Sequence, residues 1–235
     1  MGRWKLFFPF FMISASILLM GNSQLRQIGV PLKEVPSSSV LKKELSLKVE
    51  KNFENIILLP YIKYDEQEAA AIINRLNKLP SSLIKKIDEK GVKLKLFTGK
   101  LTDNETFKSL AGVIPRGYQS KTTWDNVPGV GGGQTVFVKI GASKKGSGHG
   151  SVNLEYHELA HSIDSKVLTH ASKTNQYLVI WNKEKFKLFP NKPYFQNYAE
   201  EYFAETFAMF YVGGAEKQRL KAVAPLTYQY ISRIN

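Results

Sequence analysis

In Asp65 to Leu79 (DEQEAAAIINRLNKL) the apolar residues recur at helical spacing behind a first turn rich in acids, which predicts an amphipathic helix. After Pro80, Ser81 or Ser82 can cap a second helix that stops at Gly91. Val92 to Thr98 (VKLKLFT) alternates with period two, as a half-buried strand does, and Thr135 to Ile140 (TVFVKI) reads as a second strand. Thr102 to Glu105 offers capping chemistry for a short helix, and residues 111–134 are rich in Gly, Pro and aromatic residues. Leu159, Ile163 and Val167 return to helical spacing and would seat a helix over 152–168 in the core. Beyond it the pattern is all-helical: one helix over 174–188, another over 198–212 ending at Gly213-Gly214, and a tail broken by Pro225. The expectation is an α+β lobe, residues 47–168, with a small mixed sheet, followed by an all-α lobe, residues 169–235.

The first 46 residues follow no such pattern. Arg3 and Lys5 precede an apolar run from Leu6 to Met20, with Gly21 and Ser23 behind it, which reads as a secretory signal over residues 1–23. Left uncleaved, the run would be a membrane anchor, although it is short for a span. Residues 24–46 carry Pro31, Pro36 and Ser37-Ser38-Ser39 and read as a linker.

Composition narrows the chemistry. At 235 residues the chain can bury a substantial core. It has no cysteine, so a disulfide scaffold, a thiolate zinc site and a cysteine nucleophile are excluded, and any metal must be held by His and carboxylate. The net charge of +13 implies attraction to an anionic cell-wall or membrane surface or to acidic substrates. Neither finger spacing nor an aromatic RNP-like strand accompanies it, so nucleic acid is not an expected partner.

Two of the four histidines stand in His157-Glu158-Leu159-Ala160-His161, an H-E-x-x-H stretch. On a helix, residues i and i+4 share a face, so His157 and His161 can hold one Zn²⁺ while Glu158 is placed to act as a general base. A metzincin would place a third histidine six residues on, with glycine between, but those positions hold Val167 and Asp164. A gluzincin takes a glutamate from a later helix, and Glu200, Glu201 and Glu205 are candidates. Asn197 and Glu200 form an N-x-x-E capping pattern, which gives Glu200 a structural job and leaves Glu201 as the better ligand. Glu205, one turn on, can accept a hydrogen bond from a ligand histidine. The competing reading makes these acids a solvated face of a helix that buries Tyr202, Phe203, Phe207 and Phe210. Asp164 either orients a ligand or ties two helices, His149 reads as a polar loop residue, and Trp124 either stacks on an extended peptide or packs under its loop.

H-E-L-A-H followed by E-Y-F-A-E-T-F about forty residues later resembles the protease domain of anthrax lethal factor and the related secreted Pro-Pro endopeptidases. The resemblance runs from about residue 47 to the C-terminus and takes in Thr123–Gly129 and Gly148–Leu154. It implies a zincin-like fold of gluzincin type, Glu201 as the third zinc ligand, Tyr194 facing the substrate carbonyl and Glu205 supporting the site. A phenol near the metal also has a physical rationale, as a donor to a developing oxyanion; Tyr198, on the ligand helix, is the rival. The expected function is a secreted zinc metalloendopeptidase, a monomer, acting on Pro-rich extracellular protein segments. Strand 135–140 would be the edge strand that pairs with substrate. The alternative is a non-catalytic cell-surface or wall-binding module of the same fold, which predicts damage at a ligand or the base; the sequence shows none.

Overall fold

The structure, a computed structural model, describes residues 29–115 and 122–235. The signal over 1–23 and the start of the linker lie outside the described residues. Among those described, no helix is long and apolar enough to cross a membrane.

The chain opens with β1 (Val30–Pro31), α1 (Val40–Lys43), α2 (Leu47–Phe53) and β2 (Ile57–Leu59). Then come α3 (Glu66–Leu76), α4 (Ser81–Glu89), β3 (Lys93–Phe97), β4 (Gly129–Val130) and β5 (Thr135–Lys139). The sheet runs β1-β2-β3-β5-β4. β2, β3 and β5 are parallel, while β1 and β4 close the two margins antiparallel. Burial of both faces of the central strands explains their apolar runs, Ile57–Leu59 and Val136–Val138. The remainder is helical: α5 (Leu154–Ser162), α6 (Asn175–Leu188), α7 (Pro193–Asn197), α8 (Ala199–Val212), α9 (Gly214–Val223) and α10 (Pro225–Ser232). This is an α+β fold. The two expected lobes share one continuous core, in which Ile72, Leu94 and Val136 meet Tyr156, Phe203 and Phe207.

Three expectations change. Residues 30–46 are not a linker. Leu32 and Leu41 are fully buried, and Pro31 pairs with Leu58 at the sheet margin. Ser39 and Ser46 cap α1 and α2 by accepting the amides of Lys42 and Val49. Proline at a sheet edge and serine at a helix start are common placements, so the residues that suggested a linker belong to folded elements. Strand 135–139 is not the edge either: β4 covers it, with Val130 opposite Phe137. Lastly, the regular α-helix of the motif ends at Ser162 and passes into a π-helical turn, Ile163–Val167. The expected helix ran on to 168.

Leu41→Ala is expected to cost about 2–4 kcal/mol in urea unfolding, the range for a fully buried leucine. A cost under about 0.5 kcal/mol, as for an exposed tether residue, would return this segment to the linker reading.

Candidate active site

α5 is positioned from both ends before any chemistry enters. At its start, Asn153 accepts the amide of Tyr156 at 3.0 Å. In the preceding loop, His149 bridges the Ala142 carbonyl (2.7 Å) and the Ser151 hydroxyl (2.8 Å), so its nitrogens are engaged away from the other histidines. Glu155, with no exposure, pairs with Arg75 Nε at 2.5 Å, and Arg75 also reaches Glu68 and the Ser143 hydroxyl. The Tyr156 hydroxyl donates to the Arg75 carbonyl. The two residues before His157 are thereby tied to α3, which fixes the rotation of the motif helix.

α8 packs along α5. Its apolar residues surround it, and from Tyr202 to Met209 every residue is buried, which answers the solvated-face reading. Glu205 is therefore a buried carboxylate. Its Oε2 lies 3.1 Å from His157 Nδ1, and its Oε1 accepts the amide of Val152 at 3.0 Å. Accepting from Nδ1–H leaves His157 Nε2 as a lone pair aimed into the site. There it meets His161 Nε2 at 3.2 Å and Glu201 Oε2 at 3.4 Å; His161 Nε2 to Glu201 Oε2 is 3.5 Å.

This triangle fits a metal ion. Ligand atoms about 2.05 Å from a tetrahedral centre stand about 3.3 Å from one another. The three ligand atoms here have that spacing, and His157, His161 and Glu201 are the group among the described residues that can hold an ion. Two imidazoles and a carboxylate are also a donor set suited to zinc. Burial disfavours the charged imidazole, but Glu201 and Glu205 outweigh it and push His157 up to about 10. Burial likewise opposes ionisation of Glu201, yet hydrogen bonds to His157 and His161 hold it well below the usual carboxylate range.

The site opens into a cleft of about 980 Å³ that Glu158, Tyr194, Trp124, His149, Gly129 and Gly131 help to line. Tyr194 sits in the first turn of α7, half exposed, its ring edge-on to Phe195 and Tyr198. Trp124 packs under its own loop, stacked on Phe107 (centroids 6.2 Å, 16° between planes), which meets Phe137 edge-on, and it also lines the cleft. Its loop is organised by Asp125, which accepts from the Gly112 amide (2.7 Å) and the Thr102 and Thr123 hydroxyls (2.8 and 2.9 Å). These bonds lower the Asp125 pKa to about 2.

One open choice is decided and one expectation is corrected. Asp164 takes the structural of its two readings and does not touch a ligand: it accepts the amide and hydroxyl of Ser172 (2.8 and 2.6 Å) and closes the turn beyond α5. Asn197 and Glu200 form no capping box: Asn197 ends α7, and α8 begins with Tyr198 at its cap without a side-chain bond. Glu201 is the ligand candidate through its position on α8, facing both histidines. The sequence reading placed no strand at Gly129–Val130; an isolated Val130 within a glycine-rich run was the only signal for one.

A family model described as "Anthrax toxin lethal factor, N- and C-terminal domain" matches residues 42–234. The chain belongs to this family. The Pro-Pro endopeptidase of Clostridioides difficile (strain 630) is 41% identical over 180 residues, covering 76% of this chain and 81% of the relative. The Pro-Pro endopeptidase of Paenibacillus alvei is 40% identical over 182 residues, covering 77% and 83%. The solved structure of the Pro-Pro endopeptidase from Paenibacillus alvei aligns with a TM-score of 0.73 at 39% identity, over 80% of this chain and 99% of that one. This member of the family is a peptidase.

Two outcomes follow from the geometry. Glu205→Gln keeps the shape but removes the charge facing His157 Nδ1, and metal affinity in chelator competition is expected to fall about tenfold; unchanged affinity would remove Glu205 from the site. Because the Asp125 pKa is depressed on folding, its contribution to stability is present above about pH 4 and lost as pH falls through about 2. The stability gap between the parent chain and Asp125→Asn should therefore be constant above pH 4 and close below it. A gap that widens on acidification would contradict the assignment.

Proposed function

We propose that the chain is an exported zinc endopeptidase of the zincin-like, gluzincin type, which cuts proline-rich protein segments. One observation carries the zinc reading: three lone-pair donors converge at 3.2–3.5 Å, with Glu205 setting the tautomer that makes His157 Nε2 one of them. His157, His161 and Glu201 would hold the ion. When bound, zinc supplies Lewis-acid chemistry, polarising a carbonyl and making water more acidic.

The protein's own groups do the rest. Glu158 follows the first ligand and lines the same cleft, where its carboxylate takes a proton from the attacking water and passes it to the leaving amine. Tyr194, across the cleft, donates its phenolic hydrogen to the carbonyl oxygen as negative charge develops there. The substrate lies extended along β4, the margin of the sheet nearest Glu158. Proline preference rests on the relatives' printed name, Pro-Pro endopeptidase, and on a Trp-lined, glycine-walled cleft suited to a stiff, amide-poor peptide.

Export rests on the signal pattern over 1–23, and the basic surface suits an anionic wall or membrane neighbour. The intact ligand set and base leave the non-catalytic module without an observation in its favour.

The test is a library of Pro-Pro-containing peptides read by mass spectrometry. Zinc-loaded protein is expected to cleave within it, and chelation to abolish cleavage. Glu158→Gln should keep the metal and lose about 10²–10⁴ in rate, and Tyr194→Phe about 10²–10³. No cleavage of any member by zinc-loaded protein, or an active Glu158→Gln, would sink the proposal.

A further inference from the structure

The peptidase reading requires the sheet margin and the metal-bearing helix to keep one fixed relation, and the structure shows what enforces it. The Pro128 carbonyl accepts the amide of Lys139 at 2.8 Å, and Val130 stands opposite Phe137. Main-chain groups of Pro128 and Val130 therefore face β5. By the alternation of an antiparallel strand, those of Gly129 and Gly131 face the cleft.

At the same two glycines the missing side chains would point at α5. A Cβ on Gly129 would lie 2.8 Å from Glu158 Cγ, and one on Gly131 only 1.9 Å from the Glu158 main-chain oxygen. The strand lies on the base-bearing turn as closely as a chain can, and only glycine permits it.

Close approach alone does not hold two elements together. The fastening comes from the residue after His161. Ser162 is fully buried; its hydroxyl accepts the Gly132 amide at 3.0 Å and donates to the Gly133 carbonyl at 2.8 Å. One turn on, the Ser165 hydroxyl donates to the Gly132 carbonyl at 2.9 Å. Gly132, at φ +87°, is bound on both its main-chain groups and is itself confined largely to glycine.

We infer that Ser162, seconded by Ser165, is a positioning residue that clamps the substrate-binding strand onto the metal-bearing helix and so sets the register of peptide against Glu158. Neither serine reaches the cleft chemistry; both act through Gly129 and Gly131. Loosening the clamp lets the open main-chain groups drift while His157, His161 and Glu201 stay on their own helices. Binding should suffer before chemistry.

The experiment compares Ser162→Ala and Ser165→Ala with the parent chain in full zinc-loaded form, on a peptide the parent cleaves. For Ser162→Ala the expected result is a rise in KM of about tenfold, with kcat within about threefold and zinc content unchanged. Ser165→Ala, which loses one bond to the glycine run and a longer one to the Ser162 carbonyl at a partly exposed site, should shift KM in the same direction by about threefold and covers the case in which Ser162→Ala fails to fold. Amide exchange at Gly132 should quicken in Ser162→Ala. A fall in thermal stability with KM and kcat both unchanged would overturn the inference, as would loss of zinc, which would make Ser162 a support for His161 instead. If the parent chain cleaves nothing, the peptidase reading fails on its own. The clamp is then judged by the exchange at Gly132, and unchanged exchange would overturn it.

Discussion

Three electron-pair donors facing one another at little more than 3 Å repel unless a cation lies among them, and the arrangement of this molecule follows from holding them there. His157 and His161 need one helix face, Glu201 needs a second helix laid along the first, and Glu205 must be buried to select the histidine tautomer. That last demand explains why α8 is sheathed in Tyr202, Phe203, Phe207 and Met209. The charged groups sit at the boundary between this apolar packing and the cleft. There Glu201 and Glu205 push the His157 imidazole up while the two histidines hold the Glu201 carboxyl down, so the site favours positive charge.

The second constraint is the fit of the sheet margin to the same helix. Arg75 and Glu155 fix the rotation of α5 from the α3 side, while Ser162 and Ser165 fasten the glycine run on the other. Glu158, the candidate metal-binding histidines and the outer margin of β4 are thus bonded into one unit. Opposite it, the Trp124 loop is gathered by Asp125 from three separate points of the chain, so that the indole is presented on Phe107 and Phe137. The cleft lies between a wall built from main chain and a wall built from aromatic rings.

Much of this was legible in the sequence because it is periodic. H-E-x-x-H, the i,i+4 relation of Glu201 and Glu205, and the long helices 66–76, 175–188 and 199–212 each repeat at a spacing that only one element satisfies. What escaped was short or depended on distant partners. β1 and β4 have two residues each, too few to show alternation, and Pro31 and Gly129 carry the same signals as a loop. Asn197 and Glu200 had the spacing of a cap, but the chain starts the helix one residue later. Asp164 faced the right way on an ideal helix, but its carboxylate bonds Ser172, a partner eight residues on that no spacing announced. Ser162 gave no hint, because its partners are main-chain atoms thirty residues earlier.

The central claim is that His157, His161 and Glu201 form one zinc site. Anomalous diffraction at the zinc edge, from crystals grown with the metal, tests it most directly. The account predicts a single strong peak about 2 Å from His157 Nε2, His161 Nε2 and a Glu201 carboxylate oxygen. A peak elsewhere with this triangle empty, or no peak in metal-saturated crystals, would contradict it.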